Sequence, residues 1–132
     1  MTPAGRAKLK GAITAVYDKD PTDARWRDDA GFMQYSAFIT QYMSRDEQDD
    51  ANVVNGFGVA ATMVHVLTQC GADLSRKNIM SKATNIDSIK LPMLLPEAKI
   101  STSASNYHPI RQMQLASFNG SSWELFGELL GG

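Results

Sequence analysis

The sequence predicts an α/β protein whose sheet is incomplete. Local patterns predict, in order, one strand, three helices, an extended segment and a C-terminal β-hairpin. Two of the helices are long and have apolar faces, yet only about three strands are available to cover them. Because helices bury such faces against a sheet or against other helices, we expect this chain to be part of a larger α/β protein.

The composition is that of an ordinary globular protein. The 132 residues are 43% hydrophobic and 20% charged, a balance that is not typical of a disordered chain. Thirteen lysines and arginines stand against fourteen acids, for a net charge of -1, so no basic surface for nucleic acid is expected. The single cysteine, Cys70, cannot form an internal disulfide. No apolar run is expected to reach the ~20 residues of a membrane helix.

A strand and a helix are predicted in the N-terminal third. Residues 11–17, GAITAVY, are apolar and partly β-branched, and Asp-Lys-Asp-Pro follows them, which is typical of a strand that enters a turn. Large apolar residues then recur at spacings of three and four, which predicts a helix over about 24–43 with Asp23 as its N-cap. These apolar residues are Phe32, Tyr35, Ile39 and Tyr42.

Two further helices are predicted after the acidic connection at 45–50. The second helix is expected to begin near 50–52 and to end at Gly71, which suits the positive φ angle common just past a helix end. Ser75 is expected to cap a third, short helix that extends to about Ala83. The predicted buried stripe of the second helix consists of Val53, Phe57, Ala60, Ala61, Val64 and Leu67.

The C-terminal third is predicted to be extended and then to form a hairpin. Two prolines in LPMLLPEAKI and the polar run STSASN favour irregular, extended chain over 89–110. The segments RQMQLASF and SSWELFG flank Asn119-Gly120, a strong signal for a β-hairpin turn.

Gly56-Phe57-Gly58 does not have the pattern of a phosphate-binding loop. It lacks the third glycine of a dinucleotide-binding fingerprint and the Lys-Ser/Thr of a P-loop, and no strand precedes it. We therefore interpret the two glycines as allowing close packing at the start of the second helix.

No arrangement of residues indicates catalysis or metal binding. His65 lies five residues before Cys70 and 43 before His108, and neither spacing places two zinc ligands on one helical face. The aspartates of DKDPTD, residues 18–23, lack the spacing of a calcium loop and are interpreted as holding a turn. We predict no catalytic residue, no metal, no cofactor and no enzymatic activity.

Four residues are candidates for a ligand-binding site. Tyr17 falls at the carboxyl end of the predicted strand, where open α/β sheets place ligand contacts. Asn52, Asn55 and Phe57 lie at the start of the second helix, where the backbone N–H groups favour an anionic ligand. The alternative is that Tyr17 and Phe57 are core residues.

Five segments in this order resemble a known family. The resemblance is to the C-terminal third of type I periplasmic solute-binding proteins of ABC transporters, in the leucine/isoleucine/valine branch, whose members also take aromatic acids. It extends from about residue 3 to residue 129 and rests on the order and spacing of the segments rather than on one motif. The segments are KGAITAVYDKDPTDARWRDD, FITQYM, VVNGFGVAATMVHVLTQCGADLSRKNIM, LPMLLP and PIRQMQLASFNGSSWELFG.

The resemblance implies an incomplete type I periplasmic-binding-protein fold, in which two lobes joined by a hinge close on a ligand. Residues 1–44 would be a strand and helix of the second lobe, and 45–90 would be first-lobe helices after a hinge crossing. Residues 91–132 would be an extended segment and a hairpin that returns through the hinge. Tyr17 and residues 52–57 match segments that face the cleft, while upstream segments would supply most of both sheets.

Two positions depart from the family pattern that the resemblance implies. Glu97-Ala98 stands where relatives often have a glycine. Lys77 stands at the start of a helix, where an acid is common and where the helix dipole favours negative charge.

The function implied by the resemblance is that of the substrate-binding component of an ABC importer, or a fragment of it. Its ligand would be a branched-chain amino acid or a related small carboxylate such as an aromatic acid, its partner a membrane permease, and its location the periplasm. The alternatives are a cytoplasmic ligand-sensing or protein-interaction module of the same fold and a non-functional gene fragment. The first 15 residues lack the apolar core of a secretory signal, so the chain as written is expected in the cytoplasm. Exposed apolar surface is expected to promote self-association.

Overall fold

Three helices and three strands follow one another in the predicted order. The computed structural model describes residues 8–131; residues 1–7, the start of the predicted second-lobe segment, and residue 132 lie outside it. A short 3₁₀ turn, Ala24–Trp26, precedes the first helix. The elements are β1 (Ile13–Val16), α1 (Ala30–Tyr42), α2 (Ala51–Cys70), α3 (Arg76–Ala83), β2 (Met113–Phe118) and β3 (Trp123–Leu130).

The three strands form one antiparallel sheet in the order β1–β2–β3. The side chain of Asn119 organises the hairpin loop between β2 and β3, because its Oδ1 accepts hydrogen bonds from the backbone N–H of Ser121 at 2.9 Å and of Ser122 at 3.0 Å. The hairpin prediction is therefore confirmed, and the pairing of β2 with β1 brings the two ends of the chain together.

The prediction of one helix over 24–43 is wrong at its N-terminal end. Asp23 caps only the 3₁₀ turn, where it accepts a hydrogen bond from the backbone N–H of Arg25 at 2.9 Å. A second carboxylate, Asp29, then caps α1 by accepting from the backbone N–H of Phe32 at 2.8 Å. Aspartate side chains compete for backbone N–H groups, and here two of them six residues apart begin two separate helical segments.

The predicted beginnings and ends of the other helices are confirmed. Asp50 caps α2 by accepting a hydrogen bond from the backbone N–H of Asn52 at 2.8 Å. Gly71 follows the helix with a φ angle of 60°, which a residue with a Cβ atom rarely adopts. Ser75 caps α3 through the backbone N–H of Asn78, at 3.3 Å.

The prediction of which face of α2 is buried is wrong in part. Val64, a member of the predicted stripe, is 64% exposed, and Leu67 is 38% exposed. The buried residues of α2 are instead Val54, Val66 and Cys70. Because α2 contains no charged residue and has apolar residues on every side, its periodicity does not distinguish the buried face from the exposed one.

Contrary to the sequence expectation, α2 is long and apolar enough to cross a membrane. It passes this test by length and composition only, and most of its residues are not buried within residues 8–131. Core helices of water-soluble proteins pass the same test, so this property alone does not assign a membrane segment.

Two apolar clusters form the core, and the extended segment 93–100 contributes to both. The first cluster consists of Val66, Cys70, Ile86, Leu94, Leu95, Ala98 and Ile100. The second consists of Tyr35, Ile39, Val54 and Met93. The extended segment therefore packs with residues of α2 in the first cluster and with residues of α1 and α2 in the second.

Glu97 has the backbone conformation that explains the glycine expected there. Its φ angle is 72°, in the left-handed region that disfavours any residue with a Cβ atom. Its carboxylate is exposed and lies 3.7 Å from the Lys90 ammonium, a contact of little energetic value.

We expect Glu97→Gly to stabilise the fold by up to about 1 kcal/mol, because it relieves the left-handed strain. Urea unfolding followed by circular dichroism measures this change. Glu97→Ala is the matched control, since it removes the same charge but keeps the Cβ atom. An equal gain from Glu97→Ala would contradict the assignment of the effect to backbone strain.

Candidate functional site

The end of β1 is joined to the extended segment by backbone hydrogen bonds. The backbone N–H of Leu95 donates to the carbonyl of Tyr17 at 2.8 Å, and the N–H of Lys19 donates to the carbonyl of Met93 at 2.8 Å. These two bonds form a short antiparallel ladder, which we call the 17–19/93–95 ladder. It holds Tyr17 at the junction of β1, the extended segment and α2.

Two of the four predicted ligand-binding residues meet at this junction. The Asn55 amide Nδ2 donates to the Tyr17 hydroxyl at 3.4 Å, a long and therefore weak hydrogen bond. The contact joins the end of β1 to the first turns of α2, which are 38 residues apart in sequence. The structure thus places an aromatic hydroxyl and an amide side by side.

The other two predicted ligand-binding residues are not brought to Tyr17. Asn52 is exposed, and its Nδ2 donates to the capping carboxylate of Asp50 at 3.0 Å. Phe57 packs edge-on against Tyr35, with ring centroids 5.3 Å apart, and lies 5.6 Å from the ring of Phe38. Phe57 therefore takes the core position that was its alternative interpretation, and a ligand contact by Asn52 or Phe57 stays a prediction.

Two cavities adjoin the end of β1, and Tyr17 and Asp18 line both of them. The first, of about 310 Å³, lies beside the 3₁₀ turn; we call it the turn-side cavity. The second, of about 320 Å³, lies between α2 and the extended segment; we call it the helix-side cavity. The helix-side cavity has a largely apolar lining that includes Val59, Met63, Leu91 and Ile110, and Asn55 lies at it as well.

Sequence reasoning missed three residues that line these cavities. Asp18 follows Tyr17 directly, and its position at a strand end was the available signal. Trp26 and Trp123 line the turn-side cavity from the 3₁₀ turn and the start of β3. No local pattern indicates that these two tryptophans share a cavity, because the pairing of β1 with the hairpin brings them together.

Burial of Asp18 raises the pKa of its carboxyl group to about 6. Burial disfavours the charged form of the group, so the folded protein holds this proton more tightly than the unfolded chain does. Between about pH 4 and pH 6 the folded state therefore binds more protons, and stability falls as the pH rises through this window.

We expect Asp18→Asn to raise the melting temperature at pH 7 and to remove this fall in stability between about pH 4 and pH 6. Thermal unfolding at a series of pH values measures both effects. Asp46→Asn is the control, because Asp46 is an exposed carboxylate in the connection before α2. An unchanged pH profile in Asp18→Asn would show that another group titrates in the window.

A buried ion pair lies at the turn-side cavity, which Lys19 helps to line. The Lys19 side chain is 7% exposed, and its Nζ donates to Asp29 Oδ1 at 2.5 Å and to the carbonyl oxygen of Pro92 at 2.8 Å. The ammonium also lies 5.5 Å from the ring centroid of Trp26. The hydrogen bond from Lys19 is the main cause that holds the pKa of Asp29 below its usual value.

Of the three aspartates in residues 18–23, Asp20 and Asp23 act as turn formers, as predicted, whereas Asp18 lines the cavities. Asp20 Oδ1 accepts hydrogen bonds from the backbone N–H of Thr22 at 2.8 Å and from its hydroxyl at 2.7 Å. Across residues 8–131, no group of three or more histidine, cysteine or acidic side chains is placed to hold a metal ion.

The fold is an incomplete type I periplasmic-binding-protein fold, as the resemblance implied, with three helices and a three-stranded antiparallel sheet. It superimposes on the crystal structure of a branched-chain amino acid ABC transporter from Thermus thermophilus with bound valine, with a TM-score of 0.78. The match covers 96% of this chain but 35% of that chain, at 12% sequence identity. The likeness is one of fold, and this chain spans about a third of that neighbour. No protein-family model and no curated protein matches the sequence.

Proposed function

We propose that this chain is part of the substrate-binding component of an ABC importer and binds a small amino acid or carboxylate. The observation that carries the proposal is the fold shared with a valine-bound transport protein over 96% of the chain. That neighbour is a transport protein with valine bound, which supports a binding role for this chain.

The ligand site that we propose lies where Tyr17 and Asn55 meet. The hydroxyl and the amide would hydrogen-bond to polar groups of the ligand, since their mutual contact of 3.4 Å is weak and readily exchanged. The apolar lining of the helix-side cavity suits a branched aliphatic or aromatic side chain. Asn52 and Phe57 would border the site at the start of α2.

The remaining contacts would come from polypeptide that this chain does not contain. Because the chain spans 35% of its structural neighbour, a complete site would need the rest of the two-lobed fold. The proposed partner is a membrane permease, and the proposed location is the periplasm. The exposed apolar side of α2 that does not line the helix-side cavity, which includes Val64 and Leu67, is the surface through which we expect the isolated chain to self-associate.

Titration with L-valine, L-leucine and benzoate tests the proposed function. A ligand that binds only the folded state should stabilise it by about 2.7 kcal/mol at a hundredfold excess over Kd. Calorimetry and thermal unfolding measure affinity and stabilisation. Asn55→Ala should weaken binding, whereas Gln69→Ala, an exposed amide near the other end of α2, should not. Absence of binding by all three ligands would contradict the proposal that the part of the site in this chain is sufficient to bind a ligand.

A further inference from the structure

We infer that Lys19 is a positioning residue that sets Tyr17 against α2 and thereby shapes the wall between the two cavities. The inference rests on the proposed function, because it concerns the geometry of the same site. Lys19 makes no hydrogen bond to Tyr17 or Asn55 through its side chain, so its effect passes through the backbone.

The Lys19 ammonium joins three separate parts of the chain. Lys19 itself follows β1, Asp29 caps the N-terminus of α1, and Pro92 immediately precedes the extended segment. Among residues 8–131, Lys19 is the charged residue whose side chain is buried in the core. A buried ammonium is stable only with good partners, so the positions of Asp29 and of the Pro92 carbonyl are tied to it.

The 17–19/93–95 ladder transmits this constraint to the cavity wall. Pro92 immediately precedes Met93, whose carbonyl accepts from the Lys19 backbone, and two residues further on Leu95 donates to Tyr17. The ammonium therefore fixes the Lys19–Met93 end of the ladder, and the second ladder bond carries the constraint to Tyr17, which lines both cavities. When it is removed, the extended segment loses its side-chain anchor, and the Tyr17 hydroxyl shifts relative to Asn55.

The variant Lys19→Met tests the contribution of the ammonium charge separately from the contribution of side-chain packing. Methionine is unbranched and apolar, so it occupies much of the space of the lysine stem without the ammonium. Asp29 is 31% exposed and can hydrogen-bond to water while it still caps α1, so the variant is expected to fold. Asp29→Asn is the second variant, because it keeps an oxygen for the cap but removes the charge that holds Lys19.

The experiment measures the Asn55 side-chain amide and ligand affinity in the same proteins. In ¹H–¹⁵N spectra we expect the Asn55 Nδ2 resonances of Lys19→Met and of Asp29→Asn to move toward their position in Tyr17→Phe, which lacks the accepting hydroxyl. Affinity for whichever of L-valine, L-leucine and benzoate binds should fall about tenfold, a typical effect for a residue that does not touch the ligand.

Lys90→Met is the matched control. Lys90 is an exposed lysine whose ammonium lies 3.7 Å from Glu97, so the same substitution there should change neither the Asn55 resonance nor the affinity. An unchanged Asn55 resonance in folded Lys19→Met or Asp29→Asn would overturn the inference. If the unmodified chain binds none of the three ligands, the proposed function fails, while the Asn55 resonance still decides the role of Lys19.

Discussion

Gly31→Ala is expected to destabilise the fold by about 3 kcal/mol, at the upper end of the range for overpacking. A Cβ atom at Gly31 would lie 2.8 Å from the Cα and carbonyl carbon of Pro92 and closer still to its carbonyl oxygen. These atoms belong to the backbone and cannot rotate away, and the same carbonyl accepts the Lys19 hydrogen bond. The urea midpoint of unfolding should therefore fall substantially.

Gly56→Ala provides the matched control for this prediction. Gly56 lies within α2 as Gly31 lies within α1, but a Cβ atom there would meet nothing within 4 Å, so the interpretation of Gly56 as a close-packing residue is wrong. Alanine favours helix over glycine, so this variant should be more stable by about 0.5–1 kcal/mol. Changes of the same sign in both variants would show that helix propensity, and not contact with Pro92, governs position 31.

Asp29→Ala is expected to destabilise the fold by about 3 kcal/mol, through two losses at one site. The first is the N-cap of α1, since Asp29 Oδ1 accepts from the backbone N–H of Phe32 at 2.8 Å. The second and larger loss is the partner of a buried charge, because the Lys19 ammonium would remain in the core without its carboxylate. The expected destabilisation lies at the low end of the range for buried ion pairs because Asp29 is partly exposed to water. Urea unfolding at pH 7 measures the loss.

Asp23→Ala is the control for this substitution. Asp23 also caps a helical turn and pairs with an arginine, but Arg25 is well exposed, so its loss should cost about 1 kcal/mol. The Lys19 hydrogen bond lowers the pKa of Asp29, and so its stabilisation is present above the unfolded pKa near pH 4 and lost as the pH falls below it. An Asp29→Ala protein that kept the acid sensitivity of the original chain would contradict this assignment.

Much of the fold could be predicted because its signals are local. Asp50, Gly71 and Ser75 mark the ends of helices through contacts with residues no more than three positions away. Asn119 forms its turn through Ser121 and Ser122 in the same way. Where two local signals competed, as at Asp23 and Asp29, the first helix was predicted too long.

The candidate site was predictable only in part, because its geometry depends on distant pairs. The strand end and the helix start indicated Tyr17 and Asn55, which the structure places in contact, whereas Phe57 belongs to an aromatic contact with α1. A ligand contact by any of these residues stays a prediction. Trp123 reaches the turn-side cavity from almost 100 residues along the chain, as its carbonyl contact with Arg25 also shows.

The order of the elements, the caps of α2 and α3 and the hairpin follow from the local sequence, because each depends on hydrogen bonds between neighbouring residues. Only the tertiary structure decided which side of α2 is buried, because that helix is free of charge and apolar all round. The same holds for Lys19: nothing in its neighbourhood along the chain indicates burial, and its position depends on a carbonyl 73 residues away. Long-range packing decides which helix face is buried and which groups form hydrogen bonds, because the local sequence does not favour one choice over another.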